Sequence, residues 1–250
     1  MIDLTIENEI AWLTLNRPEV LNAMDLDSVR AFRARLEAVR NREDVRVVVT
    51  GGAGRAFCAG SDLKDLAPLS PAQAAKAERA HADAFALLDA IPQPTVAMLH
   101  GHVLGGGMGL ALYHDFRIAS VSASLGMPEV EVGWTPPWGL GRLVDVVGGA
   151  AARWLAMGCE TVTGDEAKAI GLVHDCVADD ALRDRVRAFA LRLASLPPLA
   201  LRETKVLLNR ISPARNARWD AAASEAFELC FGTDEASANV AEFIARKKKR

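Results

Sequence analysis

The chain has 250 residues, half of them apolar, with 24% charged residues and a formal net charge of −3, so it carries no general attraction for nucleic acid or an anionic membrane surface. Its length suits one large domain, or a domain with a small appendage, and no apolar run approaches the roughly 18 residues of a membrane span. MIDLTIENEI lacks the pattern of an export signal, and Cys58, Cys159, Cys176 and Cys230 are scattered without a CxxC pair, which excludes a disulfide framework or structural zinc and predicts a reducing cytoplasm.

Taken in chain order, residues 2–6 and 10–15 alternate in polarity around Asn8 and Glu9 and predict a hairpin. A helix follows from Asp25 as N-cap, with Leu26, Val29, Phe32, Leu36 and Val39 on one face. The apolar runs Val45–Val49 and Thr95–Leu99 predict buried parallel strands, each leading into a glycine-rich loop and then a helix. Phe116–Ala119 predicts another strand. Repeated β-then-α units imply an α/β architecture. Beyond Pro197 and Pro198 the strand signal stops and three helical stretches follow, which predicts a core of residues 1–195 and a helical region of residues 196–250. The closing RKKKR reads as a solvated end.

The two glycine loops carry the chemistry. In GGAGRAFCAGSDLKDL, residues 51–66, a dinucleotide fingerprint fails because Phe57 stands at the last glycine position, and no GK[ST] occurs for a P-loop. Ser61 and Lys64 form an S-x-x-K, but the SDN, KTG and G-x-S-x-G companions of serine acyl-transfer enzymes are absent, so Ser61 is expected to matter through its backbone. In GHVLGGGMG, residues 101–109, three glycines stand between a strand and a helix. Glycine there lets the backbone approach a ligand while the first helical N–H groups point outward, which suits an anion; it also permits tight packing with no ligand at all. His100 and His102 lack a third residue at metal-ligand spacing, and no metal site is expected.

Five segments, LTLNRPEVLNAM at 13–24, AFCAGSDLKDL at 56–66, GHVLGGGMGLAL at 101–112, DFRIAS at 115–120 and LGMPEVEVGWTPP at 125–137, together resemble the crotonase superfamily of enoyl-CoA hydratases and isomerases. The resemblance implies a spiral of ββα units and a helical C-terminal region that drives assembly into a homotrimer, often a hexamer of two trimers. It implies an acyl-CoA substrate, with coenzyme A part of that substrate rather than a separate cofactor, and neither nucleic acid nor membrane as partner. By the same resemblance, the N–H groups of Ser61 and Gly106 form an oxyanion hole. Val20, Leu21, Ala59, Gly60, Asp62, Leu63 and Lys64 fall on positions that line the coenzyme A site. A C-terminal lysine in such proteins can reach coenzyme A phosphates on a neighbouring subunit.

The physical demand is plain. Removing the α-proton of a thioester places charge on its oxygen, and each fixed N–H donor aimed there contributes on the order of 3–4 kcal/mol of transition-state stabilisation. Hydratases of this family resemble the chain but carry two glutamates. Here Gly109 stands at the first position and only Glu129 remains at the second. One carboxylate suffices to move a proton from C2 to C4 of a dienolate, which favours a Δ3,Δ2-enoyl-CoA isomerase. Glu131, on the same face as Glu129 in an extended segment, and Asp115 are candidates to replace the missing acid. Trp134, Pro136, Pro137 and Trp138 could form an apolar pocket that raises the affinity of Glu129 for its proton, or an acyl-chain wall. Hydration, decarboxylation or dehalogenation through the same enolate, and acyl-CoA binding without catalysis, are the alternatives.

Overall fold

The computed structural model describes residues 1–212 and 217–247. Strands β1 (Ile2–Glu7) and β2 (Ile10–Leu15) form the predicted antiparallel hairpin, turned by Asn8 and Glu9 at φ 51° and 62°. Helix α1 (Leu26–Arg40) starts where expected because the Asp25 side chain accepts from the Ser28 N–H, and Val29, Phe32, Leu36 and Val39 are buried.

From there the chain climbs in repeated turns. Strand β3 (Val47–Gly52) is followed by β4 (Ala56–Cys58) and helices α2 (Leu63–Leu66), α3 (Pro71–Phe85) and α4 (Leu87–Ala90). Strands β5 (Thr95–Leu99) and β6 (His102–Leu104) lead into α5 (Gly106–Tyr113), and β7 (Phe116–Ser120) and β8 (Ser124–Gly126) lead into α6 (Leu140–Ala156). Then come β9 (Val162–Thr163), α7 (Gly164–Ala169), β10 (Asp175–Val177) and α8 (Leu182–Ala194). One sheet has the order β1-β2-β3-β5-β7-β10, with every pair after the hairpin parallel; the other has the order β4-β6-β8-β9. The three central turns, β3–β4, β5–β6 and β7–β8, each place one strand in the large sheet and one in the small sheet before a helix, which is the spiral of ββα units.

The large sheet is buried on both faces. Leu13, Val48, Ala97 and Ala119 pack with α1 and α5, while Trp12, Val49, Val96 and Ile118 pack against Leu182, Val186, Ala190 and Leu193 of α8. This double burial explains the unbroken apolar runs. The strand expected at 45–49 begins later, because the Val45 N–H is used by Arg42 O, and it continues through the glycines, pairing Thr14 with Gly51 and Leu15 with Gly52.

Three further helices follow, α9 (Pro198–Ile211), α10 (Ala217–Phe231) and α11 (Asp234–Lys247). Helix α10 packs on α3, and α11 packs on α2 and on the 3-10 turn Glu129–Val132. Phe227, Phe231, Ala236 and Val240 join Leu66, Ala74, Ala75 and Trp134 in a separate apolar core. The helical region therefore lies over the segment that carries Glu129. Among the described residues, no helix is long and apolar enough to cross a membrane.

Candidate active site

Ser61 is held by a two-residue bridge. The Met24 N–H donates to Gly60 O at 2.8 Å and the Asp62 N–H donates to Met24 O at 3.0 Å, which pins the chain on both sides of Ser61. The NRPEVLNAM segment acts as the brace. Its buried Asn22 accepts from the Arg17 N–H at 2.9 Å and donates to Ala53 O and Ala56 O at 2.9 and 2.7 Å. The Arg17 guanidinium spans Asp25 and Asp62 at 2.9 and 3.1 Å, joining the two loops by charge. Sequence reasoning assigned neither Arg17 nor Asn22 a role, although both stand in the quoted motif.

Gly105 is the N-cap of α5 at φ 54°, ψ −125°, a conformation open to glycine and strained for other residues. The tight packing that three glycines permit is present: a Cβ at Gly107 would stand 2.2 Å from Cys58 O, and one at Gly106 would stand 3.4 Å from the Ser61 nitrogen. Among the described residues, neither the Ser61 nor the Gly106 N–H has a hydrogen-bond partner, and both residues are partly exposed between the buried Gly60, Gly105 and Gly107. Gly106 opens the helix, so its N–H has no intrahelical acceptor and sits at the positive end of the helix dipole.

Glu129 opens the 3-10 turn that follows Pro128. Its Oε1 lies 3.2 Å from the Cβ position of Gly105, and its buried Oε2 has no hydrogen-bond partner. Although the residue as a whole is partly exposed, the carboxylate is enclosed, and this desolvation pushes its pKa up to about 8, with a further push from the like charge of Glu78.

Glu78 was not found by sequence reasoning. It lies on α3, buried, and accepts from Trp138 Nε1 at 2.9 Å. Its signal was helical spacing, since Ala74, Glu78, His81 and Phe85 share one buried face. Trp138 is a core residue, and a Cβ at Gly109 would fall 2.2 Å from its Cζ3 and 2.7 Å from its Cη2. The indole fills the space into which any side chain at position 109 would grow.

The two proposed substitutes for the missing acid do not reach the site. Asp115 accepts from the Thr95 N–H and hydroxyl at 2.8 and 3.0 Å and pairs with Lys205 at 2.9 Å, beyond the far end of α5 from Gly106. Glu131 is exposed: the segment is a 3-10 turn rather than extended, and at about three residues per turn position i+2 points away from position i.

Of the residues on coenzyme A positions, Val20, Leu21, Ala59 and Leu63 are partly exposed, Lys64 is exposed and Gly60 is buried. The Asp62 carboxylate is engaged by Arg17 and by the Lys64 N–H, so what it supplies there is loop shape. Ser61 and Lys64 share no hydrogen bond among the described residues, and His100 Nε2 lies 3.0 Å from Gly54 O. Trp134, whose N–H donates to Glu129 O at 3.0 Å, lines a cavity of about 570 Å³ with Leu69, Phe231, Val240 and Ile244. Of the closing basic run, Arg246 pairs with Glu242 at 2.5 Å, and positions 248–250 lie outside the described residues.

Comparison with known proteins gives the family to which the chain belongs. The profile of the Enoyl-CoA hydratase/isomerase family matches residues 5–250. The crotonyl-CoA hydratase of Syntrophomonas wolfei is 33% identical over 244 residues, covering 97% of this chain and 94% of that protein. The (E)-benzylidenesuccinyl-CoA hydratase of Thauera aromatica is 35% identical over 208 residues, covering 82% and 80%. The crystal structure of an enoyl-CoA hydratase/isomerase from Xanthobacter autotrophicus superposes with a TM-score of 0.90 at 28% identity, covering 98% of this chain and 93% of that one. The chain belongs to the enoyl-CoA hydratase/isomerase family of the crotonase superfamily.

Proposed function

We propose that this protein binds an unsaturated acyl group as its coenzyme A thioester and moves the double bond from the 3 to the 2 position. The thioester oxygen is held by the N–H groups of Ser61 and Gly106. Glu129 takes the proton from C2; the charge that develops on the oxygen is met by the two donors and the dipole of α5, and the same carboxyl returns the proton at C4. The thioester sulfur is not displaced, and atoms and charge balance without a water molecule.

The observation that carries this reading is the buried carboxylate of Glu129, its Oε2 without a hydrogen-bond partner and its Oε1 against Gly105, together with the indole of Trp138 in the place of a side chain at 109. An acid with a pKa of about 8 suits a shuttle, because it gives up and recovers a proton near neutral pH. We place the acyl chain toward Trp134, whose N–H donates to Glu129 O and which lines a mainly apolar cavity. Coenzyme A would lie along Val20, Leu21 and residues 59–64.

A second reading is hydration, favoured by the names of the relatives, which are hydratases for crotonyl-CoA and (E)-benzylidenesuccinyl-CoA. Purified protein offered 2-enoyl and 3-enoyl thioesters, with α-proton exchange in D₂O as a second readout, separates the two. In either case we propose a cytoplasmic homotrimer or hexamer. Leu199, Leu207, Leu208 and Ile211 of α9 leave an exposed apolar surface that suits contact between copies.

A further inference from the structure

Trp138 is fixed from several sides. Its Nε1 donates to Glu78 on α3, its ring meets Phe85 edge-on at 5.3 Å between centroids, and Tyr113 of α5 lies at 6.1 Å. The next residue is clamped as well: the Gly139 N–H donates to Asp220 Oδ1 at 3.0 Å, and the other oxygen of Asp220 accepts from the Tyr113 hydroxyl at 3.1 Å. Helix α10 thereby ties the Trp138 segment to α5. The indole reaches both functional glycines of that helix, lying against Gly109 and placing Cζ2 3.4 Å from the Cβ position of Gly106.

We infer that Trp138, anchored by Glu78, is the positioning residue that sets the course of the reaction: its indole fills the volume beside the Ser61–Gly106 pair from which a second acid would orient water. A bound enolate then meets Glu129 and no water. The buried Glu78 carboxylate accepts the indole N–H, which would otherwise be orphaned in an apolar core. This inference rests on the isomerase reading and extends it, since it names why hydration is excluded.

The test measures hydration of a 2-enoyl thioester against isomerisation of a 3-enoyl thioester in the wild type, Trp138→Phe, Trp138→Ala and Glu78→Gln, with folding checked by circular dichroism. Opening the indole volume is expected to raise the hydration-to-isomerisation ratio about tenfold or more in Trp138→Ala, and by a smaller factor in Trp138→Phe, which decides the matter should the alanine variant not fold. Glu78→Gln retains an acceptor for the indole but loses the charge. Its ratio is expected to stay near that of the wild type. Unchanged ratios in the folded Trp138 variants would overturn the inference. If the wild type itself hydrates faster than it isomerises, the isomerase reading fails; if it isomerises and the variants do not shift, the inference alone fails.

Discussion

A methyl group on Gly105 would stand 3.2 Å from Oε1 of Glu129. The residue that turns the chain into α5 is thus also the residue against which the carboxylate rests. Gly105→Ala is expected to lower kcat at least tenfold by moving the acid, and its backbone at φ 54°, ψ −125° adds a strain of about 1–3 kcal/mol. Steady-state turnover and chemical denaturation measure the two effects separately.

With Glu129 as the proposed proton carrier, its protonation is expected to link activity to pH. With a pKa of about 8, the carboxyl is mostly protonated at neutral pH, so kcat/KM for a 3-enoyl thioester is expected to rise with pH and level off above that value. Glu129→Gln is expected to cost on the order of 10²–10⁴-fold in kcat while acyl-CoA binding persists. Stability moves the other way. Between the ordinary 4.5 and about 8 the unfolded chain releases a proton that the folded chain keeps, so the Glu129 contribution to stability falls as pH rises through that window. The Tm of Glu129→Gln relative to wild type is therefore expected to be more favourable at pH 9 than at pH 5.

Gly109→Ala tests the packing directly. A Cβ 2.2 Å from Trp138 Cζ3 forces the indole or α5 to move, and a destabilisation of about 1–3 kcal/mol is expected in urea unfolding. An unchanged midpoint would mean that the indole moves aside freely.

Much of the fold was legible because its signals are local. The hairpin, α1 and the parallel strands β3, β5 and β7 follow from alternation, capping and apolar runs, whereas the three-residue β10 gave no such signal. The small sheet was not legible: its strands are two or three residues long, too short to show a period. At the site, the triple glycine and Glu129 were visible through their motifs. Glu78 was not, since what distinguishes it from a solvated helix acid is a partner 60 positions away. Glu131 was misplaced because a compact turn was taken for an extended segment.

Asp115, read from sequence as a possible acid, is structural. Lys205 also donates to Leu88 O and Gln93 O at 2.6 and 2.9 Å, so Asp115→Asn breaks a buried ion pair within a larger polar cluster. A loss of about 3–5 kcal/mol is expected on unfolding. The pH profile of the variant that remains folded is expected to match the wild type.

The central claim is that one carboxylate, Glu129, works opposite the Ser61–Gly106 pair without water. The most direct measurement is the ratio of 3-enoyl isomerisation to 2-enoyl hydration by purified wild-type protein across several acyl lengths. Isomerisation well in excess of hydration, lost in Glu129→Gln, is the predicted result; rapid hydration with no isomerisation would contradict it.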